Sequence, residues 1–428
     1  MKTSILLVLF FVIFLINQSV LSQVTIKPDH IDGVYKKSET VKWTIQFNDK
    51  TKVDSLHYKL IPGGLNIYQE GILSKNDTII TYKFDSPGTV LLKIGWKNDK
   101  NEIQYAKGGA IANSGKIELS DKKPDDFEVF WESKIEELQK TPVNAQIKKD
   151  SCKVNGVDYY KISMDNIRGS KIQGQLVKPS KGNKFPALLI VQWAGVYPLE
   201  KNWATGYAQD GWLVLNILAH DLPIDNDKQF YEDQFKNELK DYWTIGNEDK
   251  DESYFLRMYL SCYRAAEYLT SREDWNGETL VVTGTSQGGM QALMTAGLFA
   301  GITGCVALVP AGFDMMGPVV GRKGGWPQWY DCTWGDRNPD KVRNASKYYD
   351  VANFVSKIKC PVYVGVGLID EVCPPEGIIA GLNQLKKKKK EIMIMVDSPH
   401  QNVNGSQDNF NHMRDKVWFP ALRDGKRP

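Results

Sequence analysis

The spacing of hydrophobic residues divides the chain into two parts. Between residues 24 and 115, apolar and polar side chains alternate in short runs that turns such as Asp85-Ser86-Pro87-Gly88 separate. The alternating apolar positions are Val41, Trp43, Ile45, Phe47, Ile80, Tyr82, Phe84, Val90, Leu92, Ile94 and Trp96. A period of two is that of a strand with one buried face. The pattern predicts a small all-β, antiparallel, immunoglobulin-like sandwich of about seven strands over residues 23–118.

Strand-like and helix-like segments alternate over residues 119–428. Strands are predicted at 187–193, 211–217, 279–284, 304–309, 361–367 and 391–396, and helices at 253–270 and 288–298. This alternation is typical of an α/β domain with a mostly parallel sheet between helices. Ligands of such sheets bind at the carboxyl ends of the strands. Residues 311–350 lie between two of the strands and are predicted to form a cap-like insertion.

The first 22 residues have the pattern of a secretory signal peptide. Lys2 gives a positive start, and residues 5–16 form an apolar stretch that is too short to span a membrane. Val20-Leu21-Ser22 then supplies small or apolar residues before a cut that leaves Gln23 first. No later stretch has the apolar length of a membrane span. We therefore predict a secreted or periplasmic protein.

Composition narrows the choice of partners and cofactors. The chain has 54 basic and 51 acidic residues, and this near-balance argues against nucleic acid as a partner. The basic run Lys386–Lys390 is interpreted as a solvated helix end. The six cysteines lack C-x-x-C spacing, so a zinc site is not expected. No metal or organic cofactor is expected for the function that the sequence predicts. Cys262 and Cys305 are interpreted as core thiols, and Cys332 as a disulfide candidate with no assigned partner.

The motif that carries chemistry is Gly284-Thr285-Ser286-Gln287-Gly288-Gly289. It lies between the apolar run Leu280–Thr283 and the helix-forming run Met290–Ala296. G-x-S-x-G between a strand and a helix is the nucleophile elbow of α/β-hydrolases. The tight turn needs small neighbours and lifts the serine Oγ above the sheet. Because the pattern alone is common, a base and an acid further along the chain must support the assignment.

The base is predicted to be His400. In this fold the order along the chain is serine, acid, histidine, and only His400 and His412 follow Ser286. His400 comes just after the strand-like run Glu391–Val396, on a turn with proline before it. His412 lies in a polar, helix-like tail. A serine hydroxyl becomes nucleophilic when such a histidine accepts its proton.

The acid is predicted to be Asp370, at the end of the apolar run Val362–Gly367. Its role would be to hold the tautomer of His400 and to stabilise the imidazolium. Glu371, one residue further out, and Asp397, close to the histidine in sequence, are the alternative acids. The predicted catalytic triad is therefore Ser286, Asp370 and His400.

Two further groups of residues complete the predicted site. The backbone N–H of Gln287 and, from the loop after an early strand, that of Val196 are expected to form the oxyanion hole. In the insertion, Trp326, Trp329 and Trp334 are candidates for a sugar-stacking surface. The alternative is that these tryptophans pack a small core of the insertion itself.

Several further segments make the sequence similar to a known family. They are Pro124–Phe127, Phe130-Trp131, Arg168–Gly174, Tyr254–Leu269, Ser286–Gly289, Tyr349-Asp350, Asn353-Phe354, Cys360-Pro361, and Asp370 with Cys373–Pro375. With them the sequence resembles the acetyl xylan esterase and cephalosporin-C deacetylase family of carbohydrate esterases over residues 120–425. The resemblance implies an α/β-hydrolase that removes acetyl groups from sugars, with the same triad. It also implies that a homo-oligomer is an option.

Two departures from the family pattern lie near the predicted site. The family usually has arginine-glycine-glutamine where this chain has Leu218-Ala219-His220-Asp221, and glutamate where it has Gln401. Neither change removes a triad atom. His220 is either an additional site residue or a loop histidine that hydrogen bonds to the backbone.

The sequence thus predicts a secreted serine esterase that removes O-acetyl groups from acetylated xylan or xylo-oligosaccharides. A feruloyl esterase or a peptidase of the same fold is one alternative. A glycan-binding protein with an inactive hydrolase domain is another. The all-β part either binds carbohydrate or packs on the hydrolase beside the site.

Overall fold

The structure is a computed structural model that describes residues 24–47, 56–74, 78–98, 100–331, 335–386 and 390–428. The predicted signal peptide, Cys332, Trp334 and residues 387–389 of the basic run lie outside these ranges. Across the described ranges, no helix is both long and apolar enough to cross a membrane. An all-β region comes first and an α/β region follows.

The all-β region consists of two sheets. Its strands, as far as they are described, are β1 (Val24–Pro28), β2 (Val34–Tyr35), β3 (Thr40–Phe47), β4 (Leu56–Pro62), β5 (Gln69–Leu73), β6 (Ile79–Lys83), β7 (Gly88–Lys97) and β8 (Ile103–Ala112). One sheet has the order β1-β3-β6, and the other has the order β2-β8-β7-β4-β5. The pairing is antiparallel except between β2 and β8, which run parallel and so depart from the antiparallel prediction.

Alternation of buried and exposed side chains builds the core between these sheets. Val41 and Trp43 of β3 are fully buried, whereas Lys42 between them is exposed. Leu60 and Leu92 of the other sheet belong to the same cluster. Each sheet thus buries the face that the period-two pattern marks as apolar. The predicted all-β fold of this region is confirmed.

The α/β region is organised around one nine-stranded sheet with the order β17-β16-β15-β14-β12-β13-β11-β10-β9. Its strands are β9 (Gln146–Asp150), β10 (Val157–Asp165), β11 (Lys171–Pro179), β12 (Phe185–Val191), β13 (Leu213–Ile217), β14 (Trp275–Thr285), β15 (Gly304–Leu308), β16 (Val362–Gly367) and β17 (Lys390–Met395). Strands β12 to β17 pair in parallel, as predicted. Strands β9, β10 and β11 form an antiparallel edge.

Helices cover this sheet. They are α1 (Phe127–Gln139), α2 (Asn202–Gln209), α3 (Lys228–Lys236), α4 (Tyr254–Ser271), α5 (Gln287–Leu298), α6 (Pro339–Ser346), α7 (Ala352–Val355), α8 (Pro375–Leu382), α9 (Asp408–Met413) and α10 (Phe419–Arg423). Helix α5 packs on β14 and β15, and α4 packs on α5. Both helices are rich in apolar side chains, and most of their residues are buried. The α/β-hydrolase class predicted from the sequence is confirmed.

Candidate active site

Ser286 lies in the sharp turn between β14 and α5. Its φ of 57° and ψ of −121° are strained for a residue with a side chain. The Ser286 N–H donates to the Leu308 carbonyl at 2.9 Å, which ties the turn to the neighbouring strand. A Cβ atom on Gly284 would overlap the backbone of Gly288, so the turn cannot close over a larger side chain. The turn sets the Ser286 hydroxyl at the carboxyl ends of the parallel strands.

The structure brings Ser286, His400 and Asp370 into one hydrogen-bonded chain. Ser286 Oγ lies 2.8 Å from His400 Nε2, and His400 Nδ1 lies 2.8 Å from Asp370 Oδ2. The other carboxylate oxygen of Asp370 accepts the N–H groups of Val372 and Cys373, each at 2.8 Å. The Asp370 side chain is fully buried and that of His400 is 12% exposed. The carboxylate therefore orients the imidazole from the side away from the serine.

The loops that carry the base and the acid follow the last two strands. Asp370 comes after β16, and His400 comes after β17. The Gln407 side chain donates to the carbonyls of Pro399 and His400, both at 3.2 Å, and so fixes the histidine loop. Gln401, which departs from the family pattern, is exposed.

The two alternative acids lie elsewhere. Glu371 points to Lys93 and Lys107 of the all-β region, with Lys93 Nζ 3.0 Å from its Oε1. Asp397 is exposed. Of the three carboxylates considered, Asp370 is the one whose oxygen meets His400.

The loop after β12 faces the start of α5 across a buried tyrosine. The Gly195 N–H donates to Tyr242 Oη at 3.3 Å, and the Tyr242 hydroxyl donates to Gln287 Oε1 at 2.5 Å. On the other side of the loop, His220 Nε2 lies 2.9 Å from the Gly195 carbonyl. Within the described part of the chain, the backbone N–H groups of Val196 and Gln287 donate to no protein acceptor. These are the two N–H groups predicted to form the oxyanion hole.

Comparison with known proteins agrees with this geometry. The family described as acetyl xylan esterase (AXE1) matches residues 116–416. Acetyl esterase Axe7A of Xylanibacter ruminicola is 36% identical over 399 residues, which are 92% of this chain and 89% of that protein. The chain belongs to the acetyl xylan esterase family. It is therefore a carboxylic ester hydrolase.

Two solved acetyl xylan esterases share the fold. The enzyme from Paenibacillus sp. R4 has a TM-score of 0.60 at 22% identity, over 70% of this chain and 97% of that one. Acetyl xylan esterase 1 from Thermoanaerobacterium sp. JW/SL YS485 has a TM-score of 0.59 at 21% identity, over 70% of this chain and 96% of that one. At this identity the likeness shows the fold alone.

One of the tryptophans predicted to stack on sugars in this esterase is a core residue. Trp329 has no exposed surface, stacks on Phe255 with ring centroids 5.0 Å apart, and donates its indole N–H to the Trp243 carbonyl. The prediction that Trp329 offers a face to substrate is wrong, because its faces are already packed. Trp326 is partly exposed and lies 5.8 Å from the Trp243 ring, so it stays a candidate.

An aromatic cluster that the sequence analysis missed lies beside the oxyanion loop of the esterase. Trp193 lies two residues after the end of β12 and is 41% exposed. It stacks on Tyr197 at 5.2 Å and meets Trp203 at 4.8 Å. The Tyr197 hydroxyl donates to the Trp193 carbonyl, which closes the loop on itself. The sequence feature that could have revealed this cluster is Trp193, which ends the predicted strand 187–193 just before the predicted donor Val196.

A buried thiol of the esterase lies next to Asp370 and His400. Ligand atoms of Asp370, Cys373 and His400 lie within 4.8 Å of one another. Burial raises the pKa of the Cys373 thiol well above its usual value, which keeps it protonated. Both His400 nitrogens and the Asp370 carboxylate already take part in hydrogen bonds. Since metal binding needs a thiolate and a free nitrogen, this cluster fits the triad better than a metal site.

The all-β region holds the acid loop of the esterase. Glu371 forms ion pairs with Lys93 and Lys107, which lie opposite each other on β7 and β8. The Glu376 carboxylate accepts both the N–H and the hydroxyl of Thr89, at 2.7 and 2.9 Å. These contacts lie at both ends of the segment from Glu371 to Glu376, so the all-β region packs against the loop that carries Asp370.

Proposed function

We propose that this protein is an exported serine esterase that removes O-acetyl groups from carbohydrates, with acetylated xylan or xylo-oligosaccharides as substrates. The observation that supports it most is the chain from Ser286 Oγ through His400 to Asp370, with both links at 2.8 Å. The printed names of the relatives, an acetyl esterase and two acetyl xylan esterases, support the acetyl group as the acyl group.

The first half of the reaction forms an acetyl-enzyme. His400 Nε2 takes the proton of Ser286 as Oγ attacks the acetyl carbonyl carbon. The carbonyl oxygen becomes an oxyanion and is held by the N–H groups of Gln287 and Val196. His400 then gives the proton to the sugar oxygen, the C–O bond breaks, and the sugar leaves as an alcohol. In the second half, His400 activates water, which releases acetate and restores Ser286.

Asp370 holds His400 in the tautomer whose Nε2 can accept the proton of Ser286. Its Oδ2 accepts the Nδ1–H of His400, so that the lone pair of Nε2 faces Ser286. The N–H groups of Val372 and Cys373 fix the other oxygen. Because these two bonds come from the backbone, the carboxylate cannot rotate away during the proton transfers.

Aromatic side chains at the rim are the proposed contact for the sugar. Aromatic faces pack against the apolar faces of sugar rings. Trp326 is a candidate from the insertion, and Trp193 with 41% exposure is a candidate next to Val196. Trp334 stays a candidate from the sequence alone.

The test is acetate release by the chain from Gln23 onward, with acetylated xylo-oligosaccharides as substrate and Ser286→Ala as control. The proposal requires release that the control lacks. Hydrolysis of a small aryl acetate without release from these sugars would reject xylan as the substrate class. Cleavage of amide or feruloyl substrates in preference would favour the peptidase or feruloyl esterase. If neither ester is cleaved and a fluorophosphonate leaves Ser286 unlabelled, the glycan-binding alternative is favoured.

Export has its own test. The first 22 residues are proposed to be removed on secretion, which leaves Gln23 at the amino terminus. Mass spectrometry of the amino-terminal peptide, from full-length protein expressed in a bacterial host, locates the cut. Uncut protein confined to the cytosol would contradict this part of the proposal.

A further inference from the structure

One peptide unit of the loop after β12 carries both a fixed carbonyl and an open donor. The carbonyl of Gly195 and the N–H of Val196 belong to the same planar peptide group, and in a trans peptide they point in opposite directions. His220 Nε2 lies 2.9 Å from the Gly195 carbonyl oxygen. Whatever fixes that carbonyl therefore also fixes the direction of the Val196 N–H.

The hydrogen-bond roles around His220 follow from its neighbours. A carbonyl only accepts, so Nε2 must carry the hydrogen that bonds to Gly195. Nδ1 then accepts from the Tyr254 hydroxyl at 2.6 Å, and the Tyr254 oxygen accepts from Arg257. Burial lowers the pKa of His220 to about 3, so the ring is neutral near neutral pH. The side chain is thus a neutral donor with one possible tautomer.

Tyr242 secures the same loop from the other side. Its oxygen accepts the Gly195 N–H at 3.3 Å, and its hydroxyl hydrogen goes to Gln287 Oε1 at 2.5 Å. Tyr242 is fully buried, and its ring meets that of His220 edge-on at 4.6 Å. The Tyr242 hydroxyl therefore connects Gly195, the residue before the proposed donor Val196, with Gln287, which carries the other proposed donor.

We propose that His220 and Tyr242 are positioning residues of the oxyanion hole. They hold the Gly195–Val196 peptide plane so that its N–H and that of Gln287 converge on one point. Neither side chain touches the substrate. The proposal rests on the acyl transfer through Ser286 set out above. It gives a function to the Leu218-Ala219-His220 departure, where the family usually has another sequence.

The test compares His220→Leu and His220→Gln with the parent chain from Gln23 onward. Leucine removes the donor, whereas the glutamine amide restores one near Nε2. With 4-nitrophenyl acetate, His220→Leu should lower kcat by about 10- to 100-fold with little change in KM, because one oxyanion donor is misdirected rather than deleted. His220→Gln should recover most of that loss.

A second readout separates positioning from packing. Trifluoroacetone adds to Ser286 and places an oxyanion in the hole, so its inhibition constant should rise in His220→Leu by the same factor as kcat/KM falls. Tyr242→Phe keeps the ring and removes only the bridging hydroxyl, and should show the same paired loss. Tyr259→Phe is the matched control, since Tyr259 is also fully buried and its hydroxyl donates to the Tyr349 carbonyl.

The outcomes distinguish this proposal from the one that it rests on. Hydrolysis by the parent that Ser286→Ala retains would overturn acyl transfer through Ser286, and the positioning proposal with it. Activity that requires Ser286 but keeps its kcat and trifluoroacetone affinity in His220→Leu and Tyr242→Phe would overturn only the positioning proposal. A lower melting temperature and a lower kcat in these variants, with unchanged affinity for trifluoroacetone, would also overturn the positioning proposal.

Discussion

The two loops that flank Ser286 are held in different ways. The acid loop, residues 368–374, is held from outside by the all-β region, through Lys93 and Lys107 on Glu371. The oxyanion loop, residues 193–197, is held from within by neutral groups, through His220 and Tyr242 on Gly195. The first arrangement uses partly exposed charges. The second uses hydrogen bonds from two buried, neutral side chains.

This difference predicts how each loop responds to salt, to pH and to substitution of the residues that hold it. Ion pairs near the surface contribute little and respond to salt and pH. A buried neutral hydrogen bond responds to neither, but removal of one partner leaves the other unsatisfied. The acid loop should therefore tolerate substitution of its supports, and the oxyanion loop should not.

The largest effect is expected for Asp370→Asn. The amide cannot hold the Nδ1–H tautomer of His400, so kcat should fall by about 10⁴-fold while the fold persists. Hydrolysis of 4-nitrophenyl acetate, with the melting curve alongside, measures both. Glu371→Gln is the matched control, since it changes the neighbouring carboxylate that faces away from His400. Equal losses in the two variants would contradict the assignment of the acid.

Gly195→Ala should lower kcat by about 100-fold, the size of effect that follows the loss of one oxyanion donor. Gly195 has a φ of 130°, which a residue with a Cβ rarely adopts, and its Cβ would lie 3.1 Å from the Tyr197 ring. The peptide that carries the Val196 N–H would have to move. Gly156→Ala is the control, because Gly156 also has a positive φ, of 80°, with open space around it. A Gly195→Ala enzyme with parental kcat would show that this loop does not supply a donor.

Glu371→Gln should change kcat by less than about 10-fold and lower the free energy of unfolding by about 1 kcal/mol. The amide keeps the shape of the glutamate but not its attraction to Lys93 and Lys107. Chemical denaturation measures the difference. Glu70→Gln is the control on the same sheet, since its pair with Lys59 is longer, 3.7 Å, and more exposed. A 100-fold loss of kcat would mean that the all-β region controls catalysis through Glu371.

The contribution of Glu371 should depend on pH. Burial acts to raise the pKa of Glu371, but Lys107 and Lys93 offset it, and the folded pKa lies below the usual 4.5. Its stabilisation is therefore complete above the unfolded pKa and lost as the pH falls through the folded pKa. The stability difference between the parent and Glu371→Gln should be constant from neutral pH down to about 5 and then shrink. A difference that grows as the solution becomes more acidic would contradict this.

Each member of the predicted triad has a local signal in the sequence. Ser286 lies in a glycine-rich turn, and Asp370 and His400 each follow a run of apolar, β-branched residues. In a parallel sheet the carboxyl ends of the strands meet at one edge, so residues far apart in sequence come together. The class of the fold followed from the same alternation of strands and helices.

The parts that escaped prediction have weak local signals. Strand β9, Gln146–Asp150, is mostly exposed and has little apolar pattern to follow. Trp329 lies in a tryptophan-rich segment two residues after Pro327, and only the tertiary packing shows that Phe255 covers it. For His220 the sequence left open an additional site residue or a loop histidine bonded to the backbone. It does bond to a backbone carbonyl, but the partner, Gly195, lies 25 residues away and could not be named. The periodicity of apolar residues carries no information about contacts between residues so far apart in the sequence.

The most direct test of the proposed mechanism is the capture of the acetyl-enzyme. The parent chain is mixed with acetylated xylo-oligosaccharide, quenched in acid within the first turnover, digested and analysed by mass spectrometry. The mechanism predicts one peptide that carries a single acetyl group on Ser286, with the group absent from Ser286→Ala. Steady release of acetate with no acetyl group on Ser286 at any quench time would contradict it.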